Sequence, residues 1–137
     1  MSFVLDSSVS LAWCFEDERT DAADVLLERV VNEGAVAPSL WPLEVLNALA
    51  MAERRNRIDA EQRQRLTGFL RDLPVAIDNE TASQSWAVTS QLAARHRLTL
   101  YDTAYLELAL RLGLPLATLD QELRAAGAAL GVTLLGL

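Results

Sequence analysis

The chain contains no lysine: all twelve of its basic residues are arginine, and it has one cysteine, Cys14, and one histidine, His96. The missing lysine excludes a phosphate-loop lysine, Schiff-base chemistry and a lysine general base together. A single cysteine excludes a disulfide within the chain. One cysteine and one histidine also fall short of the three or four such ligands that a usual zinc site needs. A serine or cysteine triad would have to take His96 as its only base. No apolar run approaches the ~18 residues of a membrane span. The first residues lack the basic start, apolar centre and small-residue cleavage site of a secretory signal. A cytoplasmic chain with no membrane partner is therefore expected.

What is present is a chain of 137 residues, 51% apolar, with a net charge of −7. That size and balance predict one globular domain over residues 1–137 with a core of its own. The acidity argues mildly against a polyanionic partner. Bound divalent cations or locally clustered arginines would reverse that argument.

Strand and helix signals alternate along the chain. Phe3-Val4-Leu5 is apolar without alternation, the pattern of a strand buried on both faces. A short helix is expected over 9–13, then one over 21–32 capped by Thr20 and ended by Gly34. Ala35-Val36-Ala37 reads as a second strand. Ser39 opens a helix with Pro42 in its first turn, where a missing N–H does no harm. The next helix begins at Asp59, with Gln62 three residues on in a variant of the capping box. Residues 74–77 form a third strand. A long helix then runs to about residue 95, capped by Asp78 or Asn79 and packed through Ala82, Trp86, Leu92 and Ala93. After the helix that starts near Asp102, residues 116–118 give a fourth strand. A last helix over 121–126 leads past Gly127 to a terminal strand over 132–135. The order predicts an α/β fold, a three-layer α/β/α sandwich on a mainly parallel central sheet.

Four acids stand out by position: Asp6, Glu44, Asp102 and Asp120. Asp6 and Asp120 follow two apolar strands, and a strand that ends on an acid delivers it to the crevice where open α/β sheets bind ligands. Each acid alone has a plainer reading. Aspartate is a preferred helix cap; Thr118 would cap the last helix with Asp120 in its first turn, and Glu44 would decorate a helix dipole. Together the plain readings weaken. Carboxylates among apolar neighbours cost stability unless neutralised, and carboxylates sharing a cleft raise one another's pKa. A divalent cation answers both, and oxygen-only ligands favour Mg²⁺ or Mn²⁺. Such ions activate water and stabilise the leaving oxygen in phosphodiester cleavage.

Four motifs carry a resemblance: FVLDSS at residues 3–8, WPLEVLNAL at 41–49, LTLYDTAYLELA at 98–109 and LATLDQEL at 116–123. Their order and spacing resemble those of the PIN-domain ribonucleases, and among them the VapC-like toxins of bacterial toxin–antitoxin pairs. The resemblance covers essentially the whole chain. It implies a small α/β/α fold and a metal-dependent endoribonuclease that cuts RNA. It makes Asp6, Glu44, Asp102 and Asp120 the catalytic cluster that holds Mg²⁺ or Mn²⁺ and orients the attacking water. It gives Ser7 and Thr118 supporting polar roles, and implies a homodimer and a cognate antitoxin covering the cleft and an apolar groove between the early helices. Asn47, one helical turn from Glu44, is a further supporting candidate. Asp120 is expected to reach the ion directly or through water.

Several other residues have two readings. His96 is expected at a helix C-terminus, where its charge suits the dipole. Tyr105 is expected in the core, and Tyr101 to pack or else to stack a base. Arg54, Arg55 and Arg57 either guide phosphates or simply close a helix. Cys14 is expected to be buried filler. Two rival functions remain: an interaction module whose acids cap helices, and a small phosphatase using Asp6 as nucleophile. The phosphatase lacks an aspartate at position 8, which is Ser8, and any lysine to steady the phosphate.

Overall fold

The computed structural model describes residues 2–137. Five short strands form the centre: β1 (Val4–Leu5), β2 (Ala35–Ala37), β3 (Val75–Ile77), β4 (Leu116–Ala117) and β5 (Leu134–Leu135). They lie in the order β3-β2-β1-β4-β5, and every pairing is parallel. The helices that connect them complete a three-layer α/β/α sandwich. β1 is the middle strand, and Phe3, Val4 and Leu5 are fully buried, as its unbroken apolar run predicts.

The order has a consequence for function. From β1 the chain winds outward through β2 and β3, then returns to place β4 on the other side of β1. The connections after β1 and β4 therefore diverge, and a crevice opens at the carboxyl ends of these two strands.

Local chemistry explains most of the helices. Thr20 caps α2 (Asp21–Glu33), its Oγ1 accepting from Ala23 N at 3.1 Å. α3 (Trp41–Arg54) takes Pro42 in its first turn. Asp59 and Gln62 close a reciprocal capping box on α4 (Ala60–Asp72). α1 (Ser7–Ala12) starts two residues earlier than expected, directly after Asp6.

The long helix expected before residue 95 differs in two respects. It is α5 (Thr81–Gln84), a π-helical turn at Ser85–Thr89, and α6 (Ser90–His96). Neither Asp78 nor Asn79 caps it; Glu80 holds that position, and the Asp78 carboxylate is instead paired with Arg111 at 2.8 Å. The π turn inserts an extra residue per turn and rotates its side chains off the 3.6-residue stripe. Trp86, expected to pack, is consequently 90% exposed, whereas Thr89, Leu92 and Ala93 are buried.

α7 (Leu100–Leu112) is capped by Thr99 and ends at Gly113, whose φ of 66° is left-handed. α8 (Gln121–Ala129) runs through Gly127 and does not stop there. A Cβ at Gly127 would lie 3.0 Å from Leu134 Cδ2, so this glycine lets the helix close onto β5.

Candidate active site

The four acids sit around the crevice at the switch between β1 and β4. Asp6 is the first residue beyond β1 and occupies the N-cap position of α1, yet its side chain makes no capping bond. Its Oδ2 instead accepts the hydroxyls of Ser8 at 2.5 Å and Thr118 at 2.8 Å. Ser8 Oγ in turn accepts from Leu119 N at 2.9 Å, so it ties Asp6 to the segment after β4. Asp6 is 3% exposed. Burial pushes its carboxyl up to about 6; the hydroxyls of Ser8 and Thr118 oppose this, and the charges of Asp102 and Glu44 add to it.

Glu44 comes from the first turn of α3. That end of the helix is pinned to α1, because Trp41 Nε1 donates to Ser10 Oγ at 2.9 Å inside the core. Glu44 Oε1 accepts the hydroxyl of Tyr105 at 2.5 Å, and the nearby Ser7 side chain favours its ionised form more weakly. Partial burial raises the Glu44 carboxyl, as does the charge of Asp102.

Asp102 lies in the first turn of α7, its N–H bound to Thr99 Oγ1 at 3.1 Å. Its carboxyl is raised by burial and then by the charge of Asp120, with a smaller contribution from Glu122. Asp120 caps α8, its Oδ1 accepting from Leu123 N at 2.9 Å, a role that the plainer reading of this acid had given to Thr118. Thr118 Oγ1 accepts from Asp120 N at 3.1 Å and belongs to the acid network.

The four acids thus share one electrostatic environment. Asp6 feels Asp102 and Glu44, Glu44 feels Asp102, and Asp102 feels Asp120. Among the described residues, no arginine or histidine is among the charges that act on Asp6, Glu44 or Asp102. Elsewhere the fold neutralises its buried acids: Arg111 bonds Asp78 and Glu107 at 2.8 Å each. The site is a patch of uncompensated negative charge in a partly dry crevice. Among the described residues, no three carboxylate, histidine or cysteine side chains are disposed closely enough to enclose a metal ion by themselves.

The other expectations fall out unevenly. Ser7 touches Glu44 and Thr118 touches Asp6, as side chains beside the cluster should. Asn47 is exposed one turn beyond Glu44, and its side chain makes no hydrogen bond to the described residues. Three contributors were not foreseen. Ser8 rather than Ser7 bonds Asp6, Glu122 adds charge near Asp102, and Tyr105 is both core and hydrogen-bond donor. Only the first left a local trace, in the two serines after Asp6.

Tyr101 is 67% exposed beside Asp102, so packing does not account for it. Arg57 is held by Asp17 and Glu18 and lies 4.0 Å over the Phe15 ring, whereas Arg54 and Arg55 are exposed. His96 is the last residue of α6, with Nε2 buried and unbonded among the described residues. Cys14 is half-buried, and burial pushes its thiol up to about 11. No described helix is long and apolar enough to cross a membrane.

Known proteins resemble this chain in sequence and in fold. Ribonuclease VapC1 of Mycobacterium tuberculosis is 34% identical over 106 residues, 77% of each chain. Ribonuclease VapC3 of Pyrobaculum aerophilum is 31% identical over 129 residues, 90% of this chain and 92% of its own. A P. aerophilum crystal structure superposes with a TM-score of 0.71 at 25% identity, over 98% of this chain and 83% of that one. VapBC2 of Rickettsia felis, bound to a DNA fragment from its promoter, gives 0.69 at 12% identity over 99% and 98% of the two chains, a likeness of fold. The family model described as PIN domain matches residues 3–129, which includes all four acids. The chain belongs to the PIN-domain family.

Proposed function

We propose that this chain is a metal-dependent endoribonuclease, the toxin of a toxin–antitoxin pair, built as one nuclease domain over residues 1–137 and working in the cytoplasm. The observation that carries the reading is the uncompensated repulsion among Asp6, Glu44, Asp102 and Asp120 at the sheet's switch point. Arg111 neutralises Asp78 and Glu107 elsewhere in this fold, whereas no protein cation is among the charges that act on Asp6, Glu44 and Asp102.

The donor set fits a hard divalent cation, because every candidate ligand is a carboxylate oxygen. Mg²⁺ keeps several of its waters and takes only one or two carboxylates directly. An open arrangement of acids, with no cage of three, is compatible with that habit. Asp6, Glu44 and Asp102 are the direct candidates for Mg²⁺ or Mn²⁺. Asp120 already spends one oxygen on its helix cap, which favours an approach through water. A bound divalent ion supplies a more acidic water and charge stabilisation for the leaving oxygen of an in-line displacement. The chain's own groups do the rest. Ser8 and Thr118 hold the Asp6 carboxylate from two sides, and Ser7 and Tyr105 hold Glu44. Asp102 and Asp120 close the other side of the crevice and orient the attacking water. No side chain is required as a covalent nucleophile.

For the RNA, Tyr101 offers an exposed ring beside Asp102 on which a base can stack, and Arg54 and Arg55 are free to meet phosphates. For partners, α3 exposes Leu43 (75%) and Leu46 (39%). Leu46 lines an apolar hollow of about 300 Å³ together with Trp41, Val45, Leu70 and Ile77. A cognate antitoxin and a second copy of the chain are the partners proposed for these apolar faces. The relatives named ribonuclease VapC1 and VapC3 support the nuclease reading itself.

The test is cleavage of a mixed cellular RNA pool by purified protein freed of antitoxin, with Mg²⁺ or Mn²⁺ and with EDTA, beside Asp6→Asn and Asp102→Asn. Cuts that need the metal and vanish in both variants are expected. Cuts that persist in EDTA, or in the folded variants, would remove the four acids from the chemistry.

A further inference from the structure

Tyr105 sits where the core meets the crevice. Its ring is 0% exposed, and its hydroxyl donates to Glu44 Oε1 at 2.5 Å across 61 positions of sequence. A phenylalanine would fill the same space in the core, so what tyrosine adds is the hydroxyl.

Glu44 needs that hydroxyl. Its own face of α3 holds it only in part: Trp41 at i−3 is buried, whereas Asn47 at i+3 is exposed. A half-buried glutamate in the first turn of a helix, with three side-chain torsions, needs a specific partner to hold one rotamer. The described contacts that fix it are the phenol and the Ser7 hydroxyl. The phenol is the stiffer of the two, because a buried ring has no room to turn and only two torsions to lose.

The helix that carries Tyr105 also carries Asp102. The two residues stand at i and i+3 on α7 and so share one face. A bond from Tyr105 to Glu44 therefore couples the position of Glu44 on α3 to that of Asp102 on α7. We infer that Tyr105 is a positioning residue of the site: its hydroxyl commits Glu44 Oε1 and sets one orientation of the Glu44 carboxylate relative to Asp102. Its consequence for catalysis rests on the metal-dependent nuclease reading above.

The phenol is suited to the task at every working pH. Burial, Glu44 and the charge of Asp6 all push its proton loss far above the ordinary range. It stays a neutral donor and adds no charge of its own to the crowded crevice.

The experiment compares wild type, Tyr105→Phe, Glu44→Gln and the double variant, each shown to be folded by circular dichroism. Mn²⁺ affinity is read by equilibrium dialysis, and kcat and KM on a short RNA. Tyr105→Phe is expected to weaken Mn²⁺ binding and kcat roughly 10–100-fold, the usual effect of losing a group that orients a metal ligand. KM should stay unchanged. The double variant should bind Mn²⁺ no worse than Glu44→Gln alone, since Tyr105 acts only through Glu44. Wild-type Mn²⁺ affinity in Tyr105→Phe, or losses that multiply in the double variant, would overturn the inference.

A proton NMR spectrum separates this contact from the nuclease reading. The buried Tyr105 hydroxyl proton should exchange slowly, vanish in Tyr105→Phe and shift in Glu44→Gln. No shift in Glu44→Gln overturns the positioning role even if the protein cuts RNA. A shift in a protein that takes up no Mn²⁺ retains Tyr105 as the residue that positions Glu44 and defeats the nuclease reading alone.

Discussion

Thr118 Oγ1 donates to Asp6 Oδ2 at 2.8 Å, joining residues 112 positions apart at the ends of the two strands where the sheet changes direction. The same oxygen accepts from Asp120 N at 3.1 Å. One buried hydroxyl thus fixes the acid after β1 and the backbone of the acid after β4. Thr118→Val keeps the shape and removes both bonds. Leaving Asp6 and the Asp120 N–H without this partner should cost about 1–3 kcal/mol. With one fewer donor, the Asp6 carboxylate is harder to ionise, so Mn²⁺ affinity should fall as well. Thermal melts with and without Mn²⁺ read both effects. A folded variant with wild-type affinity would show that Ser8 alone suffices to hold Asp6.

Asp6 itself should oppose folding at neutral pH when no cation is bound. Its carboxyl rises from 3.8 to about 6 on folding. Below the lower value it is protonated in both states and ionisation costs nothing. Between the two values the unfolded chain releases its proton first, so stability falls as pH rises, and above about 6 the loss is complete. At 1.36 kcal/mol per pKa unit the loss is about 3 kcal/mol. Asp6→Asn cannot ionise. In EDTA buffer the variant should therefore be more stable than wild type near neutral pH, by an amount that shrinks toward zero as the pH approaches 4. The same variant should not cleave RNA. Denaturant melts across this range check the sign, and a variant less stable than wild type at neutral pH would contradict the burial of an unneutralised carboxylate.

Divalent cations should reverse that penalty. An ion that binds only the folded state at about 100 times its dissociation constant adds about 2.7 kcal/mol, a shift of several degrees for a chain of this size. Mn²⁺ should raise the melting temperature of wild type, and Asp6→Asn and Asp102→Asn should lose most of the rise. An equal rise in all three proteins would place the ion somewhere else on the surface.

How much of this was legible in the sequence depends on how far apart the interacting residues lie. Phe3-Val4-Leu5 announced a central strand, because a strand buried on both faces has no polar positions to show. Thr20, Pro42, Asp59 and Gln62 announced helix starts, because a cap acts on the next few residues. Asp6, Glu44, Asp102 and Asp120 were legible as acids at element ends; parallel neighbouring strands bring Asp6, Asp102 and Asp120 to one edge, and Glu44 joined them through its apolar surroundings and the family resemblance. The bonds that organise the cluster were not legible. Tyr105 to Glu44 and Thr118 to Asp6 span 61 and 112 positions, and no local pattern marks such a pair. Trp86 misled for another reason. Its spacing from Leu92 and Ala93 assumes an unbroken α-helix, and the π turn at Ser85–Thr89 takes it out of register. Asp78 looked like a cap because aspartate before a helix usually is one, but Arg111, 33 positions on, claims its carboxylate.

Arg111 offers the contrast that isolates the site. Its side chain is 19% exposed and bonds Asp78 (11% exposed) and Glu107 (4% exposed), with Glu80 at the rim. Asp78 is held below the usual carboxylate range, chiefly by its hydrogen bond to Arg111. Arg111→Met keeps much of the aliphatic bulk and strands both carboxylates. Removing one partner of such a buried pair costs about 3–5 kcal/mol, so a large drop in melting temperature is expected. Neither Asp78 nor Glu107 is among the charges acting on Asp6, Glu44 or Asp102. Mn²⁺ affinity per folded molecule should therefore be unchanged. The two variants then separate: Arg111→Met loses stability and keeps the ion, whereas Asp6→Asn gains stability and loses it. If Arg111→Met also lost Mn²⁺ affinity while folded, the arginine network would be part of the support for the acids, and the site would extend along α7 from Asp102 to Arg111.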